Sequence, residues 1–305
     1  MIVVHSILTS RCLKIYKRKR KPFSHWKKKM MKIKEAKDKK GIEKDLKQSL
    51  RYVEPFVVAL GAWPLPPESS LWMKILQRVI RFIIIFLALF FVSPGFYYVL
   101  FKEKSNKRKL QIVTTYINSF VQLIKYIIIL CRMKDIRILS EEIRNDWLHS
   151  TEENRRLFRE NSKIGERVVF IVAFTLYSGG FCYRTILPLT RSSIVLPNNI
   201  TIRILPSPTY FPFINEQITP YYEIIFVLQV LSGFCIYTVF SGAIGITMMI
   251  CLHACSLIRI LIDKLVDLTD KSNTSEEIIQ EKIVNIVGYH RKIKKMQIGK
   301  LRVFL

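Results

Sequence analysis

The sequence lacks the short motifs that support most enzyme chemistry. It has no glycine-rich loop of the kind that cradles phosphate, no G-x-S-x-G nucleophile turn and no H-E-x-x-H zinc motif. None of its five histidines lies near a plausible serine or cysteine partner along the chain. We therefore expect that the protein is not an enzyme and binds no cofactor.

Patterns typical of disulfide frameworks and metal sites are also missing. The six cysteines mostly lie in or beside apolar runs, where cysteine acts as a small hydrophobic residue. Their even number does not predict disulfides, because the chain is not a small secreted domain. Cys251, His253 and Cys255 are the one group that resembles metal ligands. On a helix, however, His253 points away from the face that the two cysteines share, so we expect no metal.

Acidic residues are scarce: the chain has 23 Asp and Glu against 49 Lys and Arg, which gives a formal net charge of +26. The basic excess is segregated, since residues 1–50 hold 17 basic and 4 acidic side chains. A nucleic-acid-binding protein would show a more uniform basic surface, so we expect no nucleic-acid partner for the whole chain. The pattern predicts a basic, disordered arm over 1–48 and one domain over 49–305. A nuclear signal, an RNA-binding arm and attachment to anionic lipid remain alternatives for that arm.

Charge is absent from Ile224 to Ile250. A helix of this length reaches about 40 Å, enough to cross a hydrocarbon core of about 30 Å. A buried helix of a soluble protein is rarely this long without a charge. Three further apolar stretches precede it. The sequence therefore predicts an all-α, multi-pass protein of the lipid bilayer with four spans, at about 79–101, 110–130, 168–188 and 222–252.

The basic residues outside the spans predict the orientation. Segments 131–167 and 253–305 hold 9 and 10 Lys and Arg, whereas 102–109 and 189–221 hold 5 and 2. The positive-inside rule places the first two segments and the N-terminus in the cytoplasm, although the short loop 102–109 is itself basic. Apolar residues at helical spacing predict cytoplasmic helices there, continuing spans two and four. The sequon at Asn199 then lies outside and is a glycosylation candidate.

Two basic residues, Lys125 and Arg184, lie inside predicted spans, each within about two turns of a span end. Charges within a membrane are often functional. Long basic side chains also reach from span ends to the headgroups, a behaviour called snorkelling, which explains both residues at least as well. The two do not form the pattern of broken, charged repeats that is typical of a transporter.

Six short motifs occur in order between about residues 45 and 300. They are Gly61-Ala62-Trp63-Pro64, Asp146-Trp147, Leu205-Pro206-Ser207-Pro208, Pro220-x-Tyr222-Glu223, His253-x-Cys255 with Ile260-Leu261, and Ile286-Val287-x-x-His290-x-x-Ile293. In order and spacing they resemble the motifs of insect odorant receptors, in the form abundant in wasps, ants and bees. Each motif alone is weak evidence, but six in order are specific.

The resemblance implies a seven-span helical receptor in the cell membrane. In that family an odorant gates a cation channel, and the receptor pairs with a shared co-receptor (Orco) in a hetero-oligomer. Two departures stand out. Ser256-Leu257 replaces the family's G-Q, and the chain stops at Leu305 after the equivalent of the fourth span. Since the seventh span lines the family's pore, we expect a truncated receptor that does not conduct as it stands.

Odorants in the family bind among spans two, three, four and six, toward the outer side. A mostly apolar, aromatic-lined pocket suits small volatile ligands. The resemblance implies that aromatic residues in the outer halves of the spans line such a pocket here. The ligand-binding candidates are Tyr116, Phe120, Tyr177, Phe181, Tyr183, Tyr222 and Phe226.

Other interpretations stay open. A four-span membrane scaffold would use its cytoplasmic helices for assembly and need no ligand. A transporter or membrane enzyme is disfavoured by the missing repeats and motifs. Gustatory receptors are the near-family alternative, and the P-x-Y-E and D-W motifs argue against them.

Overall fold

The structure is a computed structural model, and the residues that it describes are mainly helical, with one short β-hairpin and a long loop. The basic arm up to residue 40, Pro64 of the G-x-W-P motif and the glycosylation candidate Asn199 lie outside the described residues. The described residues are 41–63, 68–191, 193–195, 201–269 and 276–304.

Among the described residues, two helical segments precede the first span: α1 over residues 41–50 and α2 over Glu54–Ala59. α1 occupies positions assigned above to the basic arm. Its Leu46 is buried in the core, and its Asp45 carboxylate lies 3.0 Å from the Arg159 guanidinium. These contacts hold the segment against the bundle, so the folded part begins before the predicted boundary at residue 48.

Within the described residues, four helices are long and apolar enough to cross a membrane, which agrees with the predicted number of spans. The first, α3, begins at Leu71 rather than near 79, because Ser70 caps it by accepting a hydrogen bond from the Met73 amide (3.4 Å). Two of the four continue into a turn of π-helix. The helices are α3 (Leu71–Tyr97, then Tyr98–Lys102 as π-helix), α4 (Asn106–Cys131), α6 (Glu152–Phe181, then Cys182–Ile186 as π-helix) and α8 (Tyr221–Thr269).

The segment 131–167 was predicted to continue span two as a helix, but the structure divides it between two helices. It contains α5 (Met133–His149) and the first half of α6, which runs on into span three. The break follows from Thr151, whose extended backbone and Oγ1 acceptor cap the Asn154 amide at 3.4 Å. Arg132, which is also non-helical, separates α5 from α4.

The remaining elements lie at the two ends of the bundle. α7 (Leu187–Arg191) leads into strand β1 (Ser193–Val195), which pairs antiparallel with β2 (Thr201–Arg203). α9 (Glu276–Phe304) follows α8. We call the end with the hairpin and the loop 204–220 the hairpin end. The opposite end, which carries α1, α5 and α9, is the helical end.

The long helices expose large apolar side chains on their outer faces. Phe82 of α3 and Phe170 and Phe174 of α6 are 73, 68 and 65% exposed. Such a surface is unfavourable in water and suits a hydrocarbon environment, in which helices satisfy their own backbone hydrogen bonds. The exposed faces therefore fit a multi-pass membrane protein.

Candidate functional site

The loop 204–220 closes the hairpin end of the bundle. The Ser207 amide donates to Gln229 Oε1 of α8 (3.0 Å), and Gln229 Nε2 donates to Thr209 Oγ1 (2.9 Å). All three side chains are buried. The Tyr210 amide donates to the carbonyl of Pro94 in α3 (3.3 Å). The loop is thus bonded to both α3 and α8.

Tyr116 of α4 lies directly beneath this loop. It is fully buried, and its hydroxyl donates to the carbonyl of Pro208. Its ring packs on Phe91 and Phe96 of α3, with centroid distances of 5.2 and 6.1 Å. A Cβ atom at Gly95 would lie 1.9 Å from the Tyr116 ring, so the glycine is required for this approach. Tyr116 therefore joins α3, α4 and the loop.

Arg184 points into the bundle, and the snorkelling interpretation of this residue is wrong. Its side chain is 6% exposed, and its guanidinium carbon lies 4.5 Å from the centroid of Phe91 and 5.8 Å from that of Tyr237. Gly233 of α8 leaves the necessary space, because a Cβ there would lie 2.8 Å from Arg184 Cδ. Nη1 of Arg184 is buried and has no hydrogen-bond partner among the residues that the structure describes.

Tyr177 of α6 extends the same group of side chains. Its hydroxyl forms a 2.6 Å hydrogen bond with Thr238 Oγ1. Its ring contacts Phe234 and Tyr237 of α8 at centroid distances of 5.9 and 6.1 Å. Tyr237 also faces Arg184, which in turn covers Phe91 and so connects to Tyr116. We call this set the aromatic cluster: Phe91, Tyr116, Tyr177, Arg184, Phe234 and Tyr237.

The other five predicted ligand-binding residues lie apart from the aromatic cluster. Phe120 is 45% exposed and packs edge-on against Phe96 at 6.3 Å. Phe181 and Tyr183 are 46 and 64% exposed. Tyr222 and Phe226 pack on each other at 6.0 Å near the start of α8. Phe120 shares the neighbour Phe96 with Tyr116, whereas Tyr116 and Tyr177 are connected through the aromatic cluster itself.

Sequence reasoning missed Arg184 as an inward residue and missed Tyr237 altogether. The available signal was a reciprocal pattern on two facing helices. Gly180 precedes Arg184 by four residues, and Gly233 precedes Tyr237 by four. In the structure each glycine accommodates the large side chain of the other helix, and a Cβ at Gly180 would lie 2.2 Å from the Tyr237 ring.

A separate cluster of charged and polar side chains lies at the helical end. His253 Nε2 is 3.2 Å from Asp146 Oδ2, and Lys292 Nζ donates to Asp146 Oδ1. Burial by itself raises the pKa of Asp146, but the hydrogen bonds and charges of His253 and Lys292 outweigh it and hold this pKa below its usual value. The contacts join α5, α8 and α9. Two motifs that are far apart in sequence therefore meet at one carboxylate.

Ser256, which replaces the glycine expected after His253-x-Cys255, still supports a helix contact. It is fully buried, and its Oγ accepts a 2.7 Å hydrogen bond from Asn161 Nδ2 of α6. Its neighbour Leu257 is buried in the core. The departure from the family motif is accommodated by a side-chain hydrogen bond between α6 and α8.

Metal ligands are not brought together in the part of the chain that the structure describes. No three His, Cys, Asp or Glu side chains there lie close enough to hold an ion. His253 contacts Asp146 and the ring of Phe158 (4.8 Å). Cys251 and Cys255 are free thiols.

A family model described as "7tm Odorant receptor" matches residues 105–298, more than half of the chain. The chain belongs to the insect odorant receptor family. The matched region includes Tyr116, Arg184 and Tyr237 of the aromatic cluster. It also includes Asp146 and His253 at the helical end. No curated protein matches the sequence.

The odorant receptor fold is also seen in solved structures. The chain is similar to the insect olfactory receptor OR5 from Machilis hrabei in complex with eugenol, with a TM-score of 0.62 and 16% identity, covering 88% of this chain and 66% of that one. The chain is also similar to a second structure of OR5 from Machilis hrabei, with a TM-score of 0.60 and 17% identity, covering 88% of this chain and 67% of that one. At this identity the likeness shows the fold. The chain spans about two thirds of the length of OR5.

Proposed function

We propose that this chain is an odorant-binding receptor subunit that binds small volatile molecules. The observation that carries the proposal is the odorant receptor family match over residues 105–298. The fold supports it, since the similar OR5 structure is a complex with eugenol. In the assembled receptor, the subunit pairs with the co-receptor Orco and contributes to an odorant-gated cation channel in the cell membrane.

The proposed binding site is the aromatic cluster beneath the loop 204–220. Aromatic side chains from four helices meet there, and the loop separates them from the aqueous side. Such surfaces bind apolar ligands mainly by burial, with a few polar groups that set orientation. Tyr116 and Tyr177 are the first candidates to contact ligand. Phe120, Phe181, Tyr183, Tyr222 and Phe226 are proposed as its rim.

The proposed orientation puts the helical end and the N-terminus in the cytoplasm. This end carries the basic segments that the positive-inside rule assigns there. The hairpin end then faces outward, as odorant capture requires. Glycosylation at Asn199 would mark that side.

A membrane scaffold is a second candidate function, and α9 provides the observation that favours it. Ile283, Val284 and Val287 of this helix are 44, 71 and 49% exposed. An apolar stripe of this kind is typical of a helix that packs on a partner. A scaffold would show no saturable binding of volatile compounds.

Ligand binding by the purified chain in lipid nanodiscs tests the proposal. We expect saturable binding of at least one compound from a panel of neutral volatiles, and weaker binding in Tyr177→Ala. Phe174→Ala is the matched control, because Phe174 lies on the same helix one turn away and is 65% exposed on the outer face. Absence of binding across the panel, with the chain folded, would favour the scaffold.

Channel function is tested by co-expression with Orco and current recording. We expect odorant-dependent currents when a receptor that contains this sequence is expressed with Orco, and none when it is expressed alone. Surface labelling of an epitope in the loop 204–220 of intact cells checks that the hairpin end faces outward. Labelling that requires permeabilised cells would contradict the proposed orientation.

A further inference from the structure

Arg184 is a buried cation for which the described residues supply no counter-charge. It is 6% exposed, and no ion pair or side-chain hydrogen bond joins it to the described part of the chain. Removing a charged group from water is unfavourable unless the group is paired and hydrogen-bonded. The side chain nevertheless projects from a candidate membrane span into the space that Gly233 of α8 leaves.

The aromatic neighbours of Arg184 compensate this cost only in part. The faces of Phe91 and Tyr237 attract the guanidinium through cation–π interactions at 4.5 and 5.8 Å. A ring face contacts the plane of the guanidinium and leaves the N–H donors in that plane unsatisfied. Nη1 accordingly remains a buried donor that lacks an acceptor. The missing component is an acceptor, preferably one that carries negative charge.

The position of Arg184 connects this missing acceptor to the proposed ligand site. Phe91 packs against both Arg184 and Tyr116, and Tyr237 packs near both Arg184 and Tyr177. The guanidinium therefore lies between the two tyrosines that the proposed function assigns to ligand contact. An apolar ligand among these rings brings its polar end within reach of Arg184.

We propose that Arg184 makes this receptor selective for small volatile carboxylic acids, bound as carboxylates. The inference rests on the proposed odorant-binding function and names the ligand class of the same site. A carboxylate supplies both the counter-charge and two acceptor oxygens that match the guanidinium fork. An aldehyde supplies one acceptor and no charge, and a hydrocarbon supplies neither. The acid's alkyl chain packs on the aromatic rings.

A matched series of six-carbon compounds tests the selectivity. Hexanoate, hexanal, 1-hexanol and hexane are titrated against the full chain in nanodiscs of neutral lipid, with empty nanodiscs to subtract partition into lipid. We expect hexanoate to bind at least about tenfold more tightly than hexanal, a difference of about 1.4 kcal/mol. Hexane should bind most weakly.

Two substitutions separate charge from shape. Arg184→Met keeps an unbranched side chain and should abolish the preference for hexanoate while retaining binding of hexanal. Arg184→Lys keeps the charge without the planar fork and should retain only part of the preference. Lys125→Met is the control, since Lys125 is an exposed cation of α4 near the Phe240 ring and away from the aromatic cluster. It should leave the preference unchanged.

The outcomes distinguish this inference from the proposed function. Neutral volatiles that bind while hexanoate shows no advantage, or an advantage that persists in Arg184→Met, would overturn the carboxylate inference alone. Absence of saturable binding by any compound would overturn both. Arg184→Met should unfold at a temperature no lower than the unsubstituted chain, because it removes an uncompensated buried charge. If it does not fold, the Lys variant decides: full retention of the preference contradicts the bidentate contact.

Discussion

Replacing Asp146 with asparagine removes the charge that joins α5 to α8 and α9 while leaving the size of the side chain nearly unchanged. Two partners lose the carboxylate that they contact. His253 is buried together with Asp146, and their side chains are 5 and 9% exposed. Lys292 approaches from α9 with a side chain that is 57% exposed. The two interactions should therefore differ greatly in their contribution to stability.

The magnitudes follow from this difference in burial. Breaking a buried, hydrogen-bonded charge pair costs about 3–5 kcal/mol, because one polar group is left without its partner. An ion pair with one exposed member contributes about 0–1 kcal/mol after solvent screening. For a domain of about this size each kcal/mol changes Tm by about 2–4 °C. We expect Asp146→Asn to lower Tm by about 6–20 °C, and Lys292→Met by no more than about 4 °C.

Thermal unfolding in nanodiscs, followed by loss of the monodisperse peak in size-exclusion chromatography, measures both variants. The double variant closes a mutant cycle and isolates the coupling between Asp146 and Lys292. We expect the double variant to resemble Asp146→Asn, because Lys292 has then already lost its counter-charge. An equal loss of Tm in the two single variants would refute the assignment of stability to the buried Asp146–His253 contact.

Three further predictions concern pH and packing. Folding lowers the pKa of Asp146, so its carboxylate stabilises the folded state fully above the unfolded-state pKa of about 3.9. This stabilisation is lost as the pH falls through the folded-state pKa. The Tm difference between Asp146→Asn and the unsubstituted chain should therefore shrink below about pH 4. Gly95→Ala should displace the Tyr116 ring and lower Tm by several degrees, whereas the same change at the open position Gly179 should have little effect; equal effects would contradict the close approach. Ser256→Ala should cost about 1–3 kcal/mol in the free energy of unfolding, because Asn161 Nδ2 then keeps only its long 3.5 Å contact with the Leu252 carbonyl; unfolding titrations that show no loss would contradict the hydrogen bond to Ser256.

The four spans were predictable because hydrocarbon thickness sets a minimum apolar length. Their ends were not, since a helix that leaves the membrane keeps its backbone hydrogen bonds while its sequence turns polar. α3 therefore starts at its Ser70 cap rather than at the first apolar run. The break at Thr151 was missed because the apolar stripe on α5 continues nearly to it, although threonine followed by two glutamates is a typical helix start.

The polar residues of the candidate site were harder to place. A basic residue near a span end has the same sequence signature whether it reaches the headgroups or turns inward. For Arg184 the deciding residue is Gly233, which belongs to another helix and lies 49 positions away. The contact between Asp146 and His253 likewise joins residues 107 positions apart. Such tertiary contacts cannot be derived from local periodicity.

α8 is one uninterrupted helix of 49 residues, and it carries both Tyr237 and His253. A helix of this kind acts mechanically as a lever. From Tyr237 to Thr269 it extends about 48 Å, so a tilt of about 5° around the Tyr237 contact would move its far end by about 4 Å. The same rod holds Asp146 through His253 about halfway along that distance. A small adjustment at the aromatic cluster would therefore produce a much larger displacement where α8 meets α9.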